Sequence, residues 1–175
     1  MLPCQGRDVG SIPIARSIFP DMLRISKRIL ISAPRELVRR YLQDLENIPR
    51  YESKARLLCV TESGQAGARL AASGRFLGLP WRGEFRVEFT PDGGYRASMT
   101  QGPLKSMTSS FHLRPVSGGT VLAHEELYGF RLPLGPLMRL LRPTLRHAMD
   151  RELHVIKEGA ELVHRRCQLD AVRSA

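Results

Sequence analysis

Four neighbouring residues with acid or base side chains are the strongest candidates for chemistry in this chain. His124, Glu125 and Glu126 are consecutive, and Tyr128 follows two positions later. An imidazole, carboxylate or phenol that is turned into an apolar cavity acquires a shifted pKa and can transfer protons. We therefore take His124, Glu125 and Tyr128 as candidate acid/base residues.

The face on which each of these side chains lies is left open by the sequence. Side chains alternate across a strand, and the apolar neighbours support both alternatives. Val121, Ala123 and Leu127 favour an inward Glu125, whereas Leu122, Tyr128 and Phe130 favour inward His124 and Glu126. Because ionisable side chains are mostly solvated, our preferred interpretation is a solvated pair of charges on the outer face.

Other sets of ionisable residues lack the spacing of a known site. His147, His154 and Glu161 recur every seven residues, which is too far for one metal ion on a helix. The three cysteines are far apart, and we find no nucleophile motif, phosphate loop or nucleotide fingerprint. The sequence thus predicts no metal site and no cofactor.

The elements that must position these residues follow from hydrophobic periodicity. A period of two marks seven strands, and short turns with Gly or Pro join the last six, which makes the sheet antiparallel. The predicted strands are Leu23 to Ile31, Arg56 to Thr61, Ala68 to Phe76, Trp81 to Thr90, Tyr95 to Gln101, Lys105 to Val116 and Thr120 to Phe130. A short amphipathic helix beginning near Pro34 and a second short turn near Arg50 separate the first two strands.

The C-terminal third predicts one long helix. Leu134 to Arg142 forms a short helical piece, Pro143 divides the segment, and the long helix runs to Arg166. Its apolar stripe comprises Leu145, Met149, Leu153, Ile156, Ala160, Val163 and Cys167, with no acid, base or metal ligand on it. A sheet wrapped on such a helix leaves an apolar hollow between them. We expect Trp81, Phe85, Val87, Met99, Met107, Phe111, Leu145, Met149, Leu153 and Ile156 to line it.

Composition places the chain among ordinary globular proteins of one domain. It has 175 residues and a formal net charge of +10, but the basic residues are scattered, which makes nucleic acid an improbable partner. We expect a cytoplasmic protein, with peripheral contact at the inner membrane surface as an alternative, because Leu134 to Arg142 is apolar and flanked by arginine.

The first 21 residues show no periodicity and are expected to lie outside the domain. Gly10-Ser11-Ile12-Pro13 is what the T-arm of a transfer RNA gene would encode, so we expect Met22 to be the native start. The predicted domain covers 22 to 168, and 169 to 175 is an expected disordered tail.

Several segments resemble the SRPBCC superfamily, the START and Bet v 1-like group. They are Ile29-Leu30-Ile31-Ser32-Ala33-Pro34, Asp44 to Tyr51, the strand pair Gly102-Pro103-Leu104 to Leu113-Arg114-Pro115, and Gly118-Gly119-Thr120-Val121. Within that superfamily the Gly102-Pro103-Leu104-Lys105 hairpin resembles the coenzyme Q-binding branch, and the polyketide cyclase/dehydrase branch is the alternative. The resemblance implies an α+β helix-grip fold, in which a seven-stranded curved antiparallel sheet wraps a long C-terminal helix.

Three functions follow from this resemblance together with the residues. The first is binding or carriage of a hydrophobic or amphipathic molecule, such as a lipid, an isoprenoid quinone or a polyketide-like compound. The second is a cyclase or dehydratase that uses His124, Glu125 and Tyr128 as acid and base. The third is a module that binds a membrane surface or a protein partner. We prefer the first, because the sequence assembles no convergent polar site.

Overall fold

A sheet of seven antiparallel strands dominates the computed structural model, which describes residues 22 to 76, 78 to 131 and 135 to 173. The strands are β1 (Met22–Ile31), β2 (Ala55–Gly64), β3 (Gly67–Phe76), β4 (Leu79–Phe89), β5 (Tyr95–Gln101), β6 (Ser106–Val116) and β7 (Gly119–Gly129). Their order across the sheet is β1-β7-β6-β5-β4-β3-β2, so β1 and β2 are the two edges. All seven correspond to predicted strands, and the α+β helix-grip class is confirmed.

Tight turns hold consecutive strands in register. Gly93 joins β4 to β5 with φ of 89°, and Gly118 joins β6 to β7 with φ of 83°. Other residues adopt this backbone region only with strain, which explains Gly93 and Gly118. The second glycine of each pair is needed for space, because a Cβ on Gly94 would collide with the backbone oxygen of Phe111 and one on Gly119 with that of Ile31. The register between β6 and β7 places Phe111 opposite His124 and Met107 opposite Tyr128.

Two short α-helices and a 3-10 turn between them connect β1 to β2. Helix α1 (Arg35–Gln43) follows Pro34 and buries Val38, Tyr41 and Leu42. A 3-10 turn (Leu45–Asn47) begins at Asp44, whose carboxylate accepts a hydrogen bond from the amide of Glu46. Helix α2 (Ile48–Tyr51) buries its first and last residues and brings the chain to the start of β2.

The C-terminal helix α3 (Gly135–Arg173) is continuous in the structure. Pro143 lies inside it, so the predicted division at this residue is wrong. An internal proline costs about 3 kcal/mol, and the buried apolar stripe that follows it offsets this cost. The helix reaches Arg173, so residues 169 to 173 are helical and not a disordered tail. Other predictions refer to residues that lie outside the described part of the chain, namely residues 1 to 21, Leu134, and residues 174 and 175.

Helix α3 packs on β1 more extensively than on any other element, and it also contacts α1 and α2. Five residues of the predicted stripe are buried, namely Leu145, Met149, Leu153, Ile156 and Ala160. The last two are not: Val163 is 40% exposed, and Cys167 is also exposed. From residue 162 onward the described side chains of α3 are exposed or half-buried, so the prediction extended the stripe too far. Within the described residues, no helix is both long and apolar enough to cross a membrane.

Candidate functional site

A cavity of about 310 Å³ lies against the inner face of the sheet. Its wall is largely apolar and comes from β2 to β7, from α2 and from the connections on either side. The lining residues are Ile48, Glu52, Lys54, Ala55, Leu58, Leu70, Ala72, Leu79, Pro80, Trp81, Phe85, Val87, Tyr95, Ala97, Met99, Pro103, Leu104, Met107, Ser109, Tyr128 and Phe130. No described residue of α3 is among them.

The ten predicted lining residues fall into two groups. Trp81, Phe85, Val87, Met99 and Met107 line the cavity. Phe111, Leu145, Met149, Leu153 and Ile156 are instead buried in the close-packed core. The four α3 residues are buried there because α3 packs mainly on β1, at the opposite edge of the sheet from β2, and Phe111 stacks on His124.

One end of the cavity is polar, and Lys54 is its central group. Its ammonium lies 2.5 Å from Oε1 of Glu126, 3.2 Å from Oε1 of Glu152 and 3.7 Å from Oε1 of Glu52. Burial alone would lower the pKa of Lys54, but the three carboxyl groups raise it well above its ordinary value. Lys54 therefore stays charged. It lies among Glu126 on β7, Glu152 on α3 and Glu52 in the loop before β2.

Strand β7 turns His124, Glu126 and Tyr128 inward, where all three are buried. The hydroxyl of Tyr128 donates to Oε2 of Glu126 at 2.6 Å, and its oxygen lies 3.5 Å from Nζ of Lys54. Glu125 points to the opposite face of the sheet, where it forms an ion pair with Arg24 on the neighbouring strand β1. The preferred placement of these charges in solvent is thus wrong for His124 and Glu126, and Glu125 is not part of the site.

His124 is held rigidly behind the cavity wall. Its ring stacks on Phe111 with centroids 3.9 Å apart, and its Nε2 lies 3.1 Å from the hydroxyl of Ser109. Burial lowers the pKa of His124 to about 4, although Glu126 opposes this shift. The imidazole is therefore neutral at pH 7, and its Nδ1 has no hydrogen-bond partner. Among the described residues, Ser109 connects this histidine to the cavity.

The three carboxyl groups differ in their affinity for protons. Burial raises the pKa of Glu152 well above its ordinary value, with Lys54 opposing, so Glu152 retains a proton more readily than the others. Burial also raises the pKa of Glu52, again against Lys54. Burial would raise the pKa of Glu126 as well, but Lys54 and His124 together hold it below the ordinary value. Glu126 is thus the ionised partner of Lys54.

The cluster contains residue types that bind metal ions. Ligand atoms of His124, Glu126 and Glu152, all buried, lie within 4.8 Å of one another. The sequence spacing did not predict this group, because the residues come from β7 and α3. Since the ammonium of Lys54 already lies between the two carboxylates, it provides the compensating charge. We assign no metal to the cluster.

Sequence reasoning missed Glu52, Lys54 and Glu152. Glu152 carried a detectable signal, because it lies three residues after Met149 and four before Ile156 on the apolar stripe. The expectation that the stripe bears no acid was therefore wrong. Lys54 had no such signal, since it meets Glu126 across 72 residues of chain.

The geometry can be compared with known proteins. A family model described as polyketide cyclase / dehydrase and lipid transport matches residues 22 to 161. Among curated protein sequences, none matches this chain significantly.

Solved structures of similar fold cover most of the chain. A protein of Thermus thermophilus aligns with a TM-score of 0.71 and 21% identity, covering 81% of this chain and 99% of that one. The Zhui aromatase/cyclase of Streptomyces sp. R1128 aligns with a TM-score of 0.70 and 14% identity, covering 80% and 94%. A START superfamily protein of Mycobacterium smegmatis aligns with a TM-score of 0.66 and 17% identity, covering 78% and 97%. At these identities the likeness establishes the fold alone.

Proposed function

Because the chain belongs to the polyketide cyclase / dehydrase and lipid transport family, we propose that it binds one hydrophobic or amphipathic small molecule in the cavity of the sheet. The observation that carries this proposal is a cavity of about 310 Å³ with a largely apolar wall, to which Glu52, Lys54 and Tyr128 add a polar cluster. Its volume is near the lower limit for small-molecule sites, which suits a compact ring system or a single alkyl chain.

The residues around the cavity are suited to an apolar occupant of variable shape. Met99 and Met107 have flexible, polarisable side chains that adapt to irregular surfaces. Leu79, which is 72% exposed, also borders the cavity. An exposed leucine beside the cavity provides an apolar surface for a ligand that enters from water.

Trp81 makes the proposal directly testable, because it is the single tryptophan of the chain and it lines the cavity. Native mass spectrometry of freshly purified protein should detect a bound small molecule. After delipidation, titration with decanol should change the emission of Trp81 with saturation at one ligand per protein.

A pair of variants on one strand controls this experiment. Ala97 lines the cavity, whereas Ser98 next to it points to the other face of β5. Ala97→Phe should fill part of the cavity and weaken decanol binding at least about tenfold, while Ser98→Phe should leave it unchanged. Equal binding by wild type and both variants would mean that the cavity is not the binding site.

A second candidate function is acid/base catalysis on a polyketide-like substrate. Tyr128, Glu52 and Lys54 all reach the cavity, and Tyr128 is hydrogen-bonded to an ionised carboxylate, as in a proton-transfer site. Tyr128→Phe should then abolish cyclisation or dehydration of a synthetic poly-β-ketone thioester without loss of substrate binding. If wild-type protein binds this compound without converting it, carriage is the better description.

Contact with an anionic membrane stays a proposal with its own test. Leu140 on α3 is 74% exposed and is followed by Arg142 two residues later. Vesicles that contain phosphatidylserine should bind the protein in a salt-dependent way, and Leu140→Glu should weaken that binding. Equal binding to neutral vesicles would contradict a role for charge.

A further inference from the structure

The polar end of the cavity has a definite chemical preference, and this inference rests on the proposed function. We propose that this end selects a ligand whose head group donates hydrogen bonds, such as an amine or a hydroxyl, and that it rejects a carboxylate. The groups that carry the proposal are Glu52, Lys54, Glu126, Tyr128 and Glu152.

The hydrogen-bond donors at this end are already engaged within the protein. An ammonium group has three N–H donors. Lys54 donates to Glu126 at 2.5 Å and to the hydroxyl oxygen of Tyr128 at 3.5 Å, and the carboxyl group of Glu152 lies 3.2 Å from its Nζ. The hydroxyl of Tyr128 donates to Glu126. Neither group therefore has a free donor for an anionic head group, although both border the cavity.

The acceptors at this end retain capacity. A carboxylate offers about four lone-pair positions, and two neighbours hydrogen-bond to Glu52: the amide of Lys54, at 3.0 Å from Oε1, and the carboxyl group of Glu152. The oxygen of Tyr128 accepts from Nζ of Lys54 at 3.5 Å and keeps a second lone pair free, because its own proton is directed to Glu126. A donor on the ligand would meet Glu52 and Tyr128 at the cavity wall.

The charges favour the same kind of ligand. Three carboxyl groups surround one ammonium, and Glu126 is the ionised partner that compensates it. A ligand carboxylate would add a further acidic group beside Glu52, with no second cation in the described cluster to pair with it. In an apolar wall this costs more than in water, because the local dielectric is low.

The overall charge of the protein has the opposite sign and makes the test stringent. The chain carries a formal net charge of +10, so non-specific attraction favours an acid over an amine. A preference for the amine can therefore be attributed to the cavity itself.

The experiment compares decylamine, decanol and decanoic acid, which share one chain and differ in the head group. Dissociation constants are measured at pH 8 by emission of Trp81 and by calorimetry, below the concentration at which each compound forms micelles. We expect decylamine and decanol to bind at least about tenfold more tightly than decanoic acid. If decanoic acid binds as tightly as decanol, this inference is overturned and the proposed function stands. If none of the three binds, both fail.

Two matched variants identify the responsible group. Glu52→Gln removes the carboxylate that borders the cavity, so it should reduce the discrimination against decanoic acid to within about threefold. Glu125→Gln removes the same charge from the outer face of the sheet and should preserve the wild-type discrimination. Unchanged discrimination in folded Glu52→Gln would refute the assignment to this cluster. The wild-type comparison of the three compounds decides the inference even if this variant does not fold.

Discussion

Replacing Lys54 with methionine removes the ammonium that forms ion pairs with Glu52, Glu126 and Glu152. Lys54 is enclosed between Glu126 on β7 and Glu152 on α3. Methionine has a similar length and no charge, so packing is largely preserved while the ion pairs are lost. The change therefore isolates the electrostatic contribution of the cluster.

The structure sets the magnitude of the effect. Removal of one partner from a buried ion pair costs about 3–5 kcal/mol, because the remaining charge stays buried without compensation. Since Glu152 already retains a proton readily, we expect the lower end, about 3 kcal/mol at pH 8. A domain of this size has a total stability of about 5–15 kcal/mol, so the loss is easily measured.

The sign of the pH dependence follows from the pKa of Glu126. In the wild type its pKa is lowered, so its contribution to stability is present above the unfolded value, about 4.3, and is lost as pH falls. Without Lys54, burial raises the pKa of Glu126 above that value. Stability of the variant is then retained at low pH and lost as pH rises, so the difference from wild type widens from pH 5 to pH 8.

Urea unfolding followed by far-ultraviolet circular dichroism measures this difference at both pH values. Lys27→Met is the matched control, because Lys27 pairs with Asp150 at the surface and should cost about 0–1 kcal/mol at either pH. A loss below about 1 kcal/mol for Lys54→Met at pH 8, or an equal loss at pH 5, would refute the reasoning.

Three further predictions concern α3. Leu153→Ala should lower the free energy of unfolding by about 2–5 kcal/mol, and Leu162→Ala, at a residue 43% exposed, by less than about 0.5 kcal/mol; equal losses would contradict the placement of the stripe. Glu152→Gln should be more stable than wild type at pH 8, and its gain in stability should be smaller at pH 5, because the raised pKa of Glu152 means that its stabilising contribution is lost as pH rises. Urea midpoints with the opposite trend would count against this. Gly159→Ala should lower the melting temperature although alanine favours helices, because its Cβ would lie 2.2 Å from the hydroxyl oxygen of Tyr41; an unchanged melting temperature would show that α1 yields easily.

The strands could be predicted because their pattern is local. In β4, for example, Val87 is buried and its neighbours Arg86 and Glu88 are exposed, in the strict alternation visible in the sequence. The prediction for β7 left two alternatives because this strand is apolar on both faces. Only the fold decides between them, since α3 covers the face that bears Leu122 and leaves Ala123 on the other.

The site could be predicted only in part, because its interactions are distant in sequence. Tyr128 was identified from its neighbours, whereas Lys54 is recognisable only once β2 and β7 are placed in one sheet. The position of the cavity was also beyond the sequence. The apolar stripe of α3 predicts that one face of the helix is buried. It does not predict that this face packs on β1, because β1 lies more than 100 residues earlier in the sequence.

The order of the strands across the sheet has a consequence for synthesis of the protein. β1 is the first described strand to leave the ribosome, yet its neighbour in the sheet is β7, and the helix that covers it comes later still. Until residues near the end of the chain have emerged, β1 offers an unpaired edge and an uncovered apolar face that includes Ile25 and Ile31. A nascent chain truncated before Gly119 should therefore bind chaperones and aggregate, whereas the complete chain can close the sheet.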